Sequence, residues 1–404
     1  MQRKETIPLL HDHHAHFSGR AAYLDCVDLS SIQDKDEAIL TIMGHCSREE
    51  MNVVQGWNDS FYSFSDSELK KMPPVFIWNV SGHGLVFNEK AERKAIAKFN
   101  DPNMFKKMKD PNWVERNLLK VSKLMMKIEG ITEDKILRTN DLLLGKGIYS
   151  TDDMLLPSEE TLEKFKKLKL ADKTTFWADL DTFHKLNKSA KKEIEGIKLF
   201  VDGALGPRTA ALNEDYLDGG NGVMVYGKEE FEDTLLSLEK DKIAVHAIGD
   251  RAIEMIIDTL SKIERNDSKI PKTRIEHAQF IDKETAMEAN SLGITLSMQP
   301  NFSLDSKHYS DRLSEKYLKK NNPFRMLIDE VGFVPGKDLL FGSDGLPYGV
   351  KEALETSLFP EYESQELTLD EFIDGYCLDR NENGSINFVI DEDKREVSVE
   401  EIKI

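Results

Sequence analysis

Gly196-Ile197-Lys198-Leu199-Phe200-Val201, followed at once by the loop Asp202-Gly203-Ala204-Leu205-Gly206-Pro207-Arg208-Thr209, is the stretch on which the reading of this chain turns. An apolar run that opens on a glycine and gives way to a glycine-rich loop reads as a strand. Strand residues alternate between faces, so Lys198 and Phe200 share a side. A lysine in such a place is ordinarily a surface residue. Its meaning changes with what stands at the ends of the other strands.

Working outward, strand-like segments at 242–247, 274–279, 294–298 and 339–343 alternate with helical stretches near 228–240, 250–264, 282–292 and 305–331. Upstream, 147–152 and 174–180 read as strands separated by a charged helix. The opening apolar segment, 6–10, runs into His11-Asp12-His13-His14-Ala15-His16 and makes eight strands. Alternation of this kind implies right-handed βαβ units on a parallel sheet. Eight such strands close an α/β fold of the (β/α)8 TIM-barrel type. The competing architecture, an open doubly wound sheet, is weakened because no glycine-rich phosphate turn follows the first strand.

The region from about 20 to 145 breaks the pattern and reads as a helical insertion after strand 1. It holds two strand-like pieces, 52–55 and 74–80, with Gly56-Trp57 and Gly82-His83 directly after them. Val114, Leu118, Val121, Leu124, Met125 and Ile128 are spaced for one helix face. The expected organisation is therefore a barrel over 1–380 carrying this insertion, then a short C-terminal β segment over 381–404, a hairpin at most.

The chain has 404 residues, 40% hydrophobic and 31% charged, with a formal net charge of -19. That charge repels phosphates and argues against nucleic-acid and anionic-membrane partners. Cys26, Cys46 and Cys377 are scattered and odd in number, so no disulfide framework is implied. No apolar run approaches the roughly 18 residues of a membrane helix. The first residues show no secretory signal, and the expected location is cytoplasmic.

Active sites of such barrels lie at the C-terminal ends of the strands. There the sequence places His14 and His16, Lys198, His246, Glu276 with His277, and Asp344. His14 and His16, two apart on a strand, can reach one ion. Four histidines, a lysine and an aspartate at one end of one barrel are hard to explain as separate core choices. Arg208 can pair with a substrate carboxylate or serve a loop ion pair; Trp57 and His83 can line the pocket mouth. Asp250 reads as a helix N-cap, and Arg274 and Glu276 as supports behind the ligands.

At these residues the chain resembles the amidohydrolase superfamily, and within it the YtcJ-like branch that includes N-substituted formamide deformylase. The runs that carry the resemblance are His14-Ala15-His16, Gly56-Trp57, His83 with Asn88 and Ala91, 197–206, 246–252, 274–278 and Gly342-Ser343-Asp344. The resemblance implies a binuclear metal centre, most simply of zinc, with His14, His16 and Asp344 on one ion and His246 and His277 on the other. Lys198, carboxylated by carbon dioxide, would bridge them. It implies hydrolysis of a non-peptide C–N bond in an amide, formamide or cyclic amide by a metal-activated hydroxide, with Asp344 carrying the proton. A metal-dependent esterase or lactonase on the same site, or a non-catalytic binding barrel, are the alternatives. The expected partner is a small amide-type molecule, with a homodimer left open. Members of the branch carry a β-sandwich built from segments flanking the barrel, whereas only a dozen or so residues precede His14 here; a compact member is implied.

Overall fold

The computed structural model describes residues 2–80, 82, 84–377 and 383–404. They form two compact units, one made of residues 1–18 with 136–404 and the other of 19–135. Each is described by itself.

The larger unit holds two sheets. In the first, β1 (Gln2–Pro8) pairs antiparallel with β14 (Ser385–Asp391), which pairs antiparallel with β15 (Glu396–Lys403). Ile386, Phe388 and Ile390 alternate inward along β14 and are buried. The opening segment is thus two strands, where the sequence suggests one. Proline has no N–H to donate to a continuing ladder, so β1 stops at Pro8 and a new strand, β2 (Leu10–Ala15), begins in the second sheet.

That second sheet is the barrel. In spatial order it runs β13 (Leu339–Phe341), β12 (Thr295–Met298), β11 (Lys272–His277), β10 (Lys242–Ala247), β9 (Ile194–Phe200), β8 (Thr174–Ala178), β7 (Ile148–Asp153) and β2. Every pairing in it is parallel. The fold is a (β/α)8 barrel. Its strands are buried almost throughout, as in β2, β10 and β11, because helices cover the outside while side chains fill the inside. The helix Asp250–Arg265 shows how the cover is built: Ile253, Ile256, Ile257, Leu260 and Ile263 recur on one face and are buried.

The seam between β13 and β2 is closed by side-chain and backbone bonds at the strand ends. Asp12, with no exposed surface, accepts from the Ser343 N–H at 2.8 Å, the Ser343 hydroxyl at 2.5 Å and the His14 N–H at 3.1 Å. The Asp344 N–H donates to the His14 carbonyl at 2.7 Å. Gly342 is needed there, because a Cβ would lie 2.3 Å from the His14 nitrogen.

The smaller unit is a four-stranded sheet of its own, in the order β3 (Val27–Asp28), β4 (Asn52–Trp57), β5 (Val75–Asn79) and β6 (Leu85–Phe87). Val54 and Ile77 face one apolar cluster and Val53 and Phe76 another, so this sheet is buried on both sides. The helical face expected over 112–129 is divided between two helices, Pro111–Arg116 and Leu118–Glu129. No helix among the described residues is long and apolar enough to cross a membrane.

Asp12→Ala strands three donors inside the seam. An unsatisfied buried donor costs about 1–3 kcal/mol, so the urea midpoint should fall by an amount equivalent to about 3 kcal/mol or more. A loss under about 0.5 kcal/mol, the scale of a surface substitution, would show that closure does not depend on this carboxylate.

Candidate metal centre

Register decides which side chains face inward. Lys198 pairs with Ala244, Phe200 with His246, and His246 with Glu276, so Lys198, His246 and Glu276 share the inner face. Simple alternation would turn His277 outward. It does not, because the backbone is left-handed at His277 (φ 71°) and Ala278 (φ 46°). On β2 a register shift between Asp12 and Ala15 similarly resets the alternation at His14. Asp344 is left-handed too, with φ 55°. Such conformations cost of order 1–3 kcal/mol each and gather where function requires an unusual side-chain direction.

Three of the four histidines, all but His16, are oriented from behind. His14 Nδ1 lies 2.6 Å from Glu276 Oε2, His246 Nε2 lies 2.9 Å from the Gly203 carbonyl, and His277 Nδ1 lies 2.7 Å from Gln299 Oε1. A ring N–H given to such a partner decides which nitrogen meets an ion. The ring nitrogens left free to meet an ion would then be Nε2 of His14, Nδ1 of His246 and Nε2 of His277. His16 Nε2 and His14 Nε2 stand 3.1 and 3.5 Å from Asp344 Oδ1. The ligand atoms of His14, His16 and Asp344 all fall within 4.8 Å of one another. The rings of His14 and His246 flank that of His277, with centroids 4.7 and 4.5 Å from it.

The electrostatics suit ligands. Burial, with Lys198 adding to it, holds His14 well below the ordinary imidazole range, and His277 is lowered in the same way, with His14 contributing. Both rings are therefore neutral and offer lone pairs. Burial works to raise Asp344, but His14, His16 and Lys198 outweigh it and bring the carboxyl down to about 2.

Lys198 tests whether a metal pair fits. It is fully buried, and its Nζ has no hydrogen-bond partner among the described residues. The nearest aromatic face, Phe200, is 5.0 Å away. Burial brings its pKa down to about 8, against the upward pull of Glu276 and Asp344. An orphaned buried amine is costly as an ammonium. Carboxylated, it becomes an anion suited to bridging two cations, so the residues present fit the pair.

Arg208, Trp57, His83 and Asp250 are the remaining sequence candidates. Arg208, with φ 60°, donates to Asp218 at 2.9 Å in a loop ion pair. Trp57 belongs to the core of the smaller unit and donates its indole N–H to the Tyr62 carbonyl at 2.9 Å. His83 lies outside the described residues. Asp250 is not the N-cap, a place taken by Gly249; it accepts from the Asn213 N–H and the Tyr317 hydroxyl instead. Sequence reading missed Asp12, Gln299 and Asp202. The Asp202 carboxylate accepts from the N–H groups of Ala211, Ile248 and Gly249, tying the loops after β9 and β10 together. Gln299 was findable: it directly follows the seventh barrel strand, one of three strand ends, with the second and third, left without a role.

A parallel eight-stranded barrel with inward imidazoles, a carboxylate and a buried lysine at its C-terminal strand ends defines the class of metal-centred barrel enzymes. Residues 4–344 match the model of the amidohydrolase family, and the chain belongs to that family. It is 27% identical to the putative amidohydrolase YtcJ of Bacillus subtilis (strain 168), over 79% of this chain and 67% of that protein. It is 25% identical to Protein LONG AFTER FAR-RED 3 of Arabidopsis thaliana, over 81% of this chain and 64% of that protein. The chain thus spans about two thirds of the length of these relatives. Among solved structures, uncharacterized metal-dependent hydrolases from Pyrococcus horikoshii and Pyrococcus furiosus share the fold. The first has a TM-score of 0.62 at 23% identity, covering 88% of this chain and 74% of that one. The second has a TM-score of 0.62 at 21% identity, covering 92% and 80%.

Glu276→Gln keeps the shape behind His14 but removes the charge that faces it. Loss of such a partner typically weakens metal binding by about 10- to 100-fold, which calorimetric titration of metal-free protein would read. Unchanged affinity would mean that Glu276 serves only to bury Arg274.

Proposed function

We propose that this chain is a metal-dependent hydrolase of a C–N bond outside peptides, in an amide, formamide or cyclic amide. The observation that carries the reading is the convergence of His14, His16, His246, His277 and Asp344 around the partnerless amine of Lys198. Family membership and the printed description of YtcJ as a putative amidohydrolase support it. Two divalent ions, zinc by the nitrogen and oxygen character of the donors, would supply an acidified water and a Lewis-acid grip on the substrate carbonyl.

The chain's own groups have separable tasks. His14, His16 and Asp344 would hold one ion, and His246 and His277 the other. A pKa lowered to about 8 gives Lys198 far more free amine near neutral pH than an ordinary lysine has. The neutral nitrogen could bond to the carbon of carbon dioxide and lose a proton to solvent, and the resulting carbamate would offer the ions an anionic ligand. Asp344, ionised at neutral pH, accepts the attacking water's proton and returns it to the departing nitrogen. An amine leaves poorly unless protonated, so this transfer matters most for amides.

Lys198→Ala should lose the metal pair and the activity together, and a short carboxylic acid should restore part of both. Full activity in chelated protein resupplied with a single equivalent of metal would count against a paired centre.

Asp344→Asn separates ligand from proton carrier, because the amide oxygen can still touch an ion. Removal of a general acid–base group costs about 10²–10⁴-fold, so amide turnover should fall by that order and an activated ester by much less. Equal losses with the metal retained would place Asp344 before bond cleavage. No loss on either would take it out of the reaction.

A further inference from the structure

The H-x-H pair His14 and His16 is absorbed by the centre above, but β2 carries a second pair, His11 and His13, which is not. We infer that His11, His13 and Asp152 form a separate divalent-metal site inside the barrel, upstream of the principal centre along β2. The ligand atoms of the three residues lie within 4.8 Å of one another, and all three side chains are buried. His11 Nε2 stands 3.1 Å from Asp152 Oδ1. Two ligands held at about 2.0–2.2 Å on one tetrahedral zinc are roughly 3.3 Å apart. An ion can therefore replace the proton between them with almost no movement. The His11 and His13 rings are already packed edge to face, 4.3 Å between centroids.

Partners behind the ligands match those of a built site. Ser150 Oγ lies 2.8 Å from His11 Nδ1, which fixes the ring and directs Nε2 toward Asp152. The other Asp152 oxygen, Oδ2, accepts from Arg274 Nη1 at 2.5 Å, leaving Oδ1 for the ion. Arg274 does not forbid a cation here. Its single positive charge is shared between two buried carboxylates, Asp152 and Glu276, so one negative charge remains to be balanced. His13 brings a second imidazole to the set: at 6% exposure, it offers a ring nitrogen within 4.8 Å of the ligand atoms of His11 and Asp152. The set is two nitrogens and one oxygen, with a fourth position open to water, which suits zinc or a neighbouring borderline ion. At 6% exposure for His11 and His13 and 4% for Asp152, a water-sized sphere still touches each residue.

The test uses zinc itself. Crystals of the full chain soaked in zinc should give an anomalous peak at the zinc edge between His11, His13 and Asp152, apart from any peaks at the principal centre. In solution, His13→Ala should bind one equivalent fewer than wild type, whereas His277→Ala should keep this ion while losing one at the principal centre. No peak at saturating zinc in the wild-type crystal, or a folded His13→Ala that binds as many equivalents as wild type, would overturn the inference. The crystal arm needs no variant, so a His13→Ala that fails to fold does not blunt the test. The proposal also stands apart from the hydrolase reading: a protein empty at the principal centre could still fill this site, and the two peaks report separately.

Discussion

The carboxylate of Glu276 is the interaction on which the site depends. It has no exposed surface, yet both of its oxygens are engaged: one accepts from Arg274 Nε at 2.5 Å, the other faces His14 Nδ1 at 2.6 Å. Removing a carboxylate from water costs several kcal/mol unless partners replace the lost hydration. Arg274 is such a partner and is itself tied down by Asp152 and by the His13 carbonyl. Three strands, β2, β7 and β11, are thereby joined through the barrel interior by charge rather than by apolar filling. With Glu276 fixed, the His14 ring is held in one direction, and His16, His277 and Asp344 lie around it.

The price of that arrangement is visible in the backbone. Glu276 and His277 are consecutive, yet both face the candidate centre, Glu276 behind His14 and His277 between the rings of His14 and His246, which regular alternation forbids. The left-handed residues His277 and Ala278 supply the exception, and the shifted register of β2 does the same for His14. These departures occur at strand ends, where few ladder bonds are sacrificed. The regular part of each strand then remains available for the core.

Seven of the eight barrel strands were legible in the sequence because helical and strand periodicities alternate cleanly after residue 145, whereas the first was placed at 6–10 and in fact spans Leu10–Ala15. The candidate ligands stood out in the sequence because histidine, lysine and aspartate recur at the ends of those strands, and the structure gathers His14, His16 and Asp344 within 4.8 Å. The insertion was read less well. β3 has two residues and β6 three, too short for periodicity to register. The break at Pro8 was missed because the apolar run continues through it, and only pairing with β14 reveals two strands. Asp12 was hidden for a different reason: its partners, Ser343 and His14, include a residue more than three hundred positions away. Contacts of that kind are made by barrel closure and leave no local pattern.

Closure and chemistry meet at the same place. The seam between β13 and β2 is bridged by Asp12 to Ser343 and by the Asp344 N–H to the His14 carbonyl. His14 and Asp344 also supply two of the three ligand atoms gathered at one proposed ion. An ion held there would join the two strand ends whose alignment the seam bonds maintain. Anything that binds the folded state alone stabilises it by RT ln(1 + [L]/Kd), about 2.7 kcal/mol at a hundred times Kd. Opening the seam would separate the ligands and forfeit that energy, so metal occupancy and barrel closure are thermodynamically linked. The three bonds to Asp12 make sense on this view. They hold the strand ends in register before any ion arrives, so that binding need not bear the full cost of ordering its own ligands.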